Sequence, residues 1–272
     1  MIPAAFDYKV AESAEHAVQL LGESGDESKL LAGGHSLIPM MKFRLATPTV
    51  LIDVGRLSDM RYIRRDGDHV SIGAMTRHEQ LENSDVLAEA CPMLKHVASL
   101  VGDPSVRHRG TLGGTMAHAD AASDLPAAVL ALGGTIVAAG PNGSREIAAA
   151  EFFTGYFESV LAADEMITEI KVPADTGGWS YQKFNRRAQD WAIVGVAVAD
   201  GGSGISLVNM GATPLRASAT ESALRGGASG ADAALLAAEG TTPPEDNNAD
   251  AEYRSHLAQA LTTRALAEAG VG

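Results

Sequence analysis

A chain of 272 residues, 46% hydrophobic and 20% charged, is long enough to bury a sizeable core as one large domain or two moderate ones. Its net charge of -13 argues against nucleic acid or an anionic membrane surface as a partner, because both would repel it at long range. The single cysteine, Cys91, excludes an internal disulfide and any iron–sulfur cluster built from this chain alone. No segment approaches the roughly 20 apolar residues of a membrane span, and residues 1–8 lack the basic region of a signal peptide, so a cytoplasmic protein with no integral membrane segment is expected.

In chain order, Ser13 predicts the cap of a helix over 14–21, with Ala14, Ala17, Val18 and Leu21 at helical spacing. Residues 29–32 read as a short buried strand running into Gly33-Gly34. A short helix around 37–43 and a β-branched strand over 49–54 complete a small βαβ unit. Asp66-Gly67-Asp68 predicts a hairpin between 62–65 and 70–72. Thr76-Arg-His-Glu79 reads as a capping box opening a helix toward Leu87, and 92–100 as a second helix. Val101-Gly102-Asp103-Pro104 then breaks into a long loop. Ser123 or Asp124 caps the next helix, with Gly133-Gly134 beyond its end. Strands over 135–138 and 145–147 flank Pro141-Asn-Gly143, and a further strand covers 165–172. Phe152, Phe153, Tyr156 and Phe157 read as a core aromatic cluster.

The aperiodic stretch 173–178 predicts a boundary between a first domain, 1–175 with subdomains 1–55 and 56–175, and a second, 176–272. In the second, strands over 179–184, 191–199 and 204–210 form an antiparallel meander, followed by alanine-rich helices around 221–224, 231–238 and 251–269. The expected fold class is α+β: a small βαβ unit plus a larger mixed sheet with helices, then a three-stranded antiparallel sheet with a helical bundle.

Two stretches carry chemistry. Leu31-Ala-Gly-Gly-His-Ser-Leu37 places a glycine pair beside a hydroxyl, and Arg107-His-Arg-Gly-Thr-Leu-Gly-Gly-Thr115 places one beside hydroxyls and two arginines, where backbone N–H groups can meet an anion without a Cβ in the way. Either pair alone also reads as an ordinary turn. Two together suggest a ligand with two phosphates held between two loops. Neither fits G-x-G-x-x-G or the P-loop pattern, so a standard Rossmann domain or nucleoside triphosphatase is unsupported. His118, Asp120 and Asp124 have the spacing of metal ligands, but no second histidine pair supports them. Asp124 reads rather as a partner for a ligand hydroxyl, and no metal site is expected. His35-Ser36 lacks a nucleophile elbow and an orienting acid. Arg107 and Arg109 read equally as a solvated pair or as neighbours of phosphate or of a partner surface, with Lys183, Arg186 and Arg187 similarly open. Cys91, ahead of Pro92, reads as structural.

Ala32-Gly-Gly-His-Ser36, Arg109-Gly-Thr-Leu-Gly-Gly114 and Ala117-His-Ala-Asp-Ala-Ala-Ser-Asp124 together resemble the FAD-binding medium subunit of molybdenum hydroxylases, the family of xanthine dehydrogenase flavin domains and aerobic carbon monoxide dehydrogenase flavoproteins. Val101-Gly102, Glu165-Met-Ile-Thr168, Lys183-Phe184, Arg187-Ala-Gln-Asp-Trp-Ala192 and Val208-Asn-Met-Gly-Ala-Thr-Pro-Leu-Arg216 extend the likeness over nearly the whole chain. The resemblance implies FAD as cofactor. Ala32, Gly33, Gly34, His35, Ser36 and Leu37 with Thr111, Gly113, Gly114 and Thr115 would wrap its pyrophosphate. Asp124 would bond ribityl hydroxyls, Val101 and Gly102 would lie by the ring system and Ile167 on the adenine side. Lys183 would lie near the ring's polar edge, and Trp191 would cover one face. Many relatives carry Asn where this chain has Thr115. No catalytic side chain is implied.

The resemblance further implies an electron-transfer subunit in a dimer of heterotrimers. A small subunit with [2Fe–2S] clusters feeds FAD, a large subunit holds the molybdenum cofactor, and quinone, NAD or oxygen is the acceptor. Location would be cytoplasmic, at the inner face of the membrane through the complex. The carbon monoxide dehydrogenase type is the nearest match. Alternatives are a subunit for N-heterocycles, aldehydes or xanthine, a free-standing FAD oxidase, and a non-redox nucleotide-binding module.

Overall fold

The computed structural model describes residues 2–272. Its first layer is a three-stranded parallel sheet in the order Asp7–Val10, Val50–Asp53, Ser28–Leu31. The predicted βαβ unit is there, with Asp7–Val10 as an added strand that period-2 reading does not reveal. The crossover helix Ala14–Ser24 begins where Ser13 Oγ accepts from the His16 N–H at 3.1 Å. It ends at Gly25, whose φ of 72° is open to glycine at little cost. Ala17, Val18, Leu20 and Leu21 bury the inner face.

The larger sheet has five strands, Ile63–Asp66, His69–Gly73, Met166–Pro173, Thr135–Gly140 and Gly143–Ala148 in that order. Every pairing in it is antiparallel, so the expected mixed sheet is corrected: hairpin turns at 67–68 and 141–142 build the two outer pairs, and the central strand Met166–Pro173, reached through a longer connection, runs antiparallel to both neighbours. The helix expected from Thr76 to Leu87 is two, His78–Glu82 and Asp85–Ala90, because Ser84 turns outward and caps a new start by accepting from the Leu87 N–H at 3.2 Å. The stretch expected as a long loop is mostly helical, Pro104–Arg107 and Leu112–His118. Thr111 Oγ1 accepts from the Gly114 N–H at 3.1 Å and so starts the second of these.

The aromatic cluster splits. Phe152 is fully buried with Phe153 edge-on to it, whereas Tyr156 and Phe157 are exposed. They sit at the tip of a tight hairpin, where Phe157 takes a φ of 55° and packs its ring against His118 at 5.0 Å.

The C-terminal sheet has four strands rather than three: Ser180–Phe184, Val194–Ala199, Gly204–Val208 and Leu215–Arg216. The last pairs only two residues, too short for alternation to reveal. Strand Val194–Ala199 is buried on both faces, and its sequence says what each face meets. Val194, Val196 and Val198 join the core under helix Ala251–Glu268, while Ala197 and Ala199 join the first domain's core. The small face lets helix Asp124–Ala131 come close. A Cβ at Gly204 would overlap the Ala131 carbonyl, so only glycine allows this approach. That helix is buried along its whole length, between helix Pro92–Ser99 and strands Val194–Ala199 and Gly204–Val208.

Candidate functional site

The two glycine loops meet through their backbones. A Cβ on Gly33 would overlap the carbonyl oxygen of Arg109, and one on Gly114 would lie 3.9 Å from Ala32 Cβ. Gly34 takes a φ of 76°, which turns the chain into helix Leu37–Lys42. Among the described residues, the N–H groups of Gly33, Gly34, His35 and Ser36 donate to no other group of the chain, and His35 and Ser36 are exposed. This is a run of consecutive free donors on an open loop, the arrangement that favours an anion.

The second loop is different in kind. Leu112 and Gly113 donate to the carbonyls of Thr76 and Ala74 at 2.9 and 2.8 Å, and Gly114 donates to Thr111. A Cβ on Gly113 would come within 2.6 Å of Ala74 Cβ. Gly113 is thus explained by seating its helix against the end of strand His69–Gly73, while a Cβ on Gly114 would crowd the Thr111 hydroxyl that caps that helix. Thr115 is half-buried in the next position.

Beneath these loops lies His78, 4% exposed, which sequence reasoning missed. Its ring borders Gly110, and neither ring nitrogen reaches hydrogen-bond geometry. Burial pushes its pKa down from 6.5 to about 4; the Thr111 backbone opposes the shift, and His35 and Arg107 add to it.

A second constellation joins helix Asp124–Ala131 to strand Ser180–Phe184. Lys183 Nζ donates to Asp124 Oδ2 at 2.8 Å and to the Leu100 carbonyl at 3.0 Å, and the Tyr181 hydroxyl donates to Asp124 Oδ1 at 2.6 Å. The Asp124 and Lys183 side chains are each only 7% exposed. Burial raises the Asp124 pKa while Lys183 and Tyr181 pull it back, and burial drives the Tyr181 phenol well up. Three expected site positions, 101–102 through Leu100, Asp124 and Lys183, are therefore in one place. Tyr181 was missed, although it stands two residues before Lys183 on the same strand face, the period-2 signal that could have found it.

Ser123 is the residue before helix Asp124–Ala131 and makes no cap bond with its side chain, so Asp124 is the first helical residue rather than the cap. Ile167 is buried in the first domain's core beside a register shift in its strand. Trp191 is exposed and lies outside the strand in which it was expected, on the rim of a cleft of about 520 Å³ that also touches Asp120, Arg187, Asn209 and Arg254. Arg107 is paired, not solvated: its Nε donates to Glu82 Oε2 at 2.7 Å. Burial pushes the Cys91 thiol up to about 11, which suits a packing role. Among the described residues no three His, Cys, Asp or Glu side chains gather as a metal site.

Residues 4–175 match the model of the FAD binding domain in molybdopterin dehydrogenase, and residues 179–269 that of the CO dehydrogenase flavoprotein C-terminal domain. The chain belongs to this flavoprotein family. It is 42% identical to the carbon monoxide dehydrogenase medium chain of Hydrogenophaga pseudoflava, over 98% of this chain and 97% of that one. It is 35% identical to the 6-hydroxypseudooxynicotine dehydrogenase complex subunit alpha of Paenarthrobacter nicotinovorans, over 99% and 96%. Among solved structures, carbon monoxide dehydrogenase from H. pseudoflava lacking the Mo-pyranopterin moiety superposes with a TM-score of 0.94, 43% identity and 99% coverage of each chain. Quinoline 2-oxidoreductase from Pseudomonas putida 86 gives 0.91 at 31%, also with 99% coverage of each. The chain is thus the FAD subunit of a molybdenum hydroxylase, with the α+β fold of the family. The site fits that cofactor. Free amides on the first loop suit phosphate, and buried polar groups at Asp124 and Lys183 retain unused hydrogen-bonding capacity.

Proposed function

We propose that this subunit serves a carbon monoxide dehydrogenase type complex, accepting electrons from the [2Fe–2S] clusters of a small partner subunit and passing them to an external acceptor such as quinone. The observation that carries the FAD site is the backbone contact between two glycine loops some eighty residues apart, one with its amides free. Likeness to the H. pseudoflava medium chain over the full length supports the type of complex. The large partner would hold the molybdenum cofactor, in a cytoplasmic dimer of heterotrimers.

In this reading, the amides of Gly33, Gly34, His35 and Ser36 bind the pyrophosphate, with Ala32 and Leu37 flanking them. Gly114 and Thr115 close it from the second loop, with Thr111 and Gly113 holding that loop's helix in place. Asp124 has lone pairs left after Tyr181 and Lys183, and these accept from ribityl hydroxyls. Lys183 keeps one N–H beyond Asp124 and Leu100 for the ring's polar edge. Val101 and Gly102 lie beside the ring, Trp191 covers it, and Ile167 walls the adenine side. Bound FAD supplies the redox chemistry by exchanging single electrons for a pair, and the chain contributes binding, orientation and electrostatics.

The test is to purify the native complex and ask which reductant bleaches the flavin absorbance. Bleaching by carbon monoxide supports the proposal. Bleaching by an N-heterocycle and not by carbon monoxide favours the second reading, which the 35% identity to a 6-hydroxypseudooxynicotine dehydrogenase subunit keeps open. A chain that cannot take up FAD overturns the site assignment.

A further inference from the structure

We propose that Arg107 is a positioning residue that sets the shape of the turn at Val101 and Gly102; this rests on the placement of that turn beside the flavin ring. Arg107 Nη1 donates to the carbonyls of Val101 at 3.2 Å and Gly102 at 3.1 Å, and its Nε is held by Glu82. The preceding carbonyl, Leu100, accepts from Lys183. Three consecutive carbonyl oxygens at the end of helix Pro92–Ser99 are therefore held by two cations, each paired to a carboxylate. The Arg107 side chain is only 13% exposed. The cost of desolvating this guanidinium is offset by the Glu82 carboxylate and the two carbonyls it holds.

The consequence lies on the other edge of each peptide. A trans peptide plane points its N–H opposite to its C=O. With the carbonyls of Val101 and Gly102 drawn to Arg107, the N–H groups of Gly102 and Asp103 face away from it. Among the described residues neither N–H donates within the chain. Gly102 takes a φ of 51°, and a Cβ there would stand 3.0 Å from Val106 Cβ, so this turn shape suits glycine and disfavours any side chain. Arg107 thus fixes two free donors at the place assigned to the ring, and the Glu82 carboxylate fixes Arg107.

The full chain carrying Arg107→Met, Arg107→Lys or Glu82→Gln tests this with three readouts. Hydrogen exchange of residues 101–106 in the FAD-free chain should speed up in Arg107→Met. FAD binding should weaken by roughly tenfold, about 1.4 kcal/mol. The visible spectrum and reduction potential of the bound flavin should shift, with Arg107→Lys recovering part of each change. A lower melting temperature with unchanged spectrum, potential and FAD affinity would show a merely structural arginine and overturn the proposal. If Arg107→Met fails to fold, Glu82→Gln decides, since it must give the same spectral shift in smaller degree; an unshifted spectrum in that variant overturns it. A wild-type chain that takes up no FAD refutes the flavin-site reading instead.

Discussion

His78 offers the most direct measurement of what the fold costs at the loops. The imidazole is buried under Gly110 with no hydrogen-bond partner on either nitrogen, and its pKa falls from 6.5 to about 4. A histidine depressed in the folded state stays neutral there while the unfolded chain takes up a proton. Above its ordinary pKa neither state is protonated and the group is silent. As pH falls through 6.5 the unfolded state gains the proton first, so stability is lost between about pH 6.5 and 4 and the loss then levels off. The full difference of two to three units corresponds to about 3 kcal/mol, of which about 2 kcal/mol has appeared by pH 5. For a chain of this size that is a fall in melting temperature of roughly 4–8 °C. The assay is thermal unfolding of wild type and His78→Leu at a series of pH values, with His78→Leu chosen because it keeps the volume and removes the titration. The wild-type melting temperature should drop faster than that of the variant between pH 7 and 5. Parallel curves would refute the reasoning.

Other consequences follow from close contacts. Gly33→Ala places a methyl against the Arg109 carbonyl, so the loops must part; a loss of about 1–3 kcal/mol and loss of FAD uptake are expected in denaturant unfolding and flavin titration. Lys183→Met leaves Asp124 buried without its cation and should cost about 3–5 kcal/mol in urea unfolding. Adding Asp124→Asn should return much of that loss, a coupling read from the double-mutant cycle. Gly204→Ala puts a methyl on the Ala131 carbonyl between the domains and should lower the melting temperature by several degrees, about 1–3 kcal/mol, without touching the loops.

Local signals carried far into this fold. Ser13 and Asp66-Gly67-Asp68 act through bonds and dihedrals within a few residues, and the helix and hairpin they announced are present. The glycine pairs marked the two loops for the same reason, since a missing Cβ is visible wherever it occurs. What each glycine is for was not visible. Gly113 serves the packing of a helix on Ala74, and Gly33 serves contact with a carbonyl at position 109, because both reasons lie on other segments of the chain. Phe157 and Trp191 stand exposed although their type favours burial, since hydrophobicity alone does not say which side of an element meets a core. The isolated bridge between Arg77 and Thr111, the ion pair of Arg107 with Glu82, and the bonding of Asp124 with Tyr181 and Lys183 likewise join residues 25 to 59 positions apart. The chain's order of residues by itself gave away the flavoprotein family through its motifs, and the two loops and many of the elements through local chemistry, though not the helices at 104–107 and 112–118. Only tertiary structure decided which amides stay free, which cations are buried and where the 101–102 turn points, because a donor is free or satisfied according to what the rest of the chain brings to it.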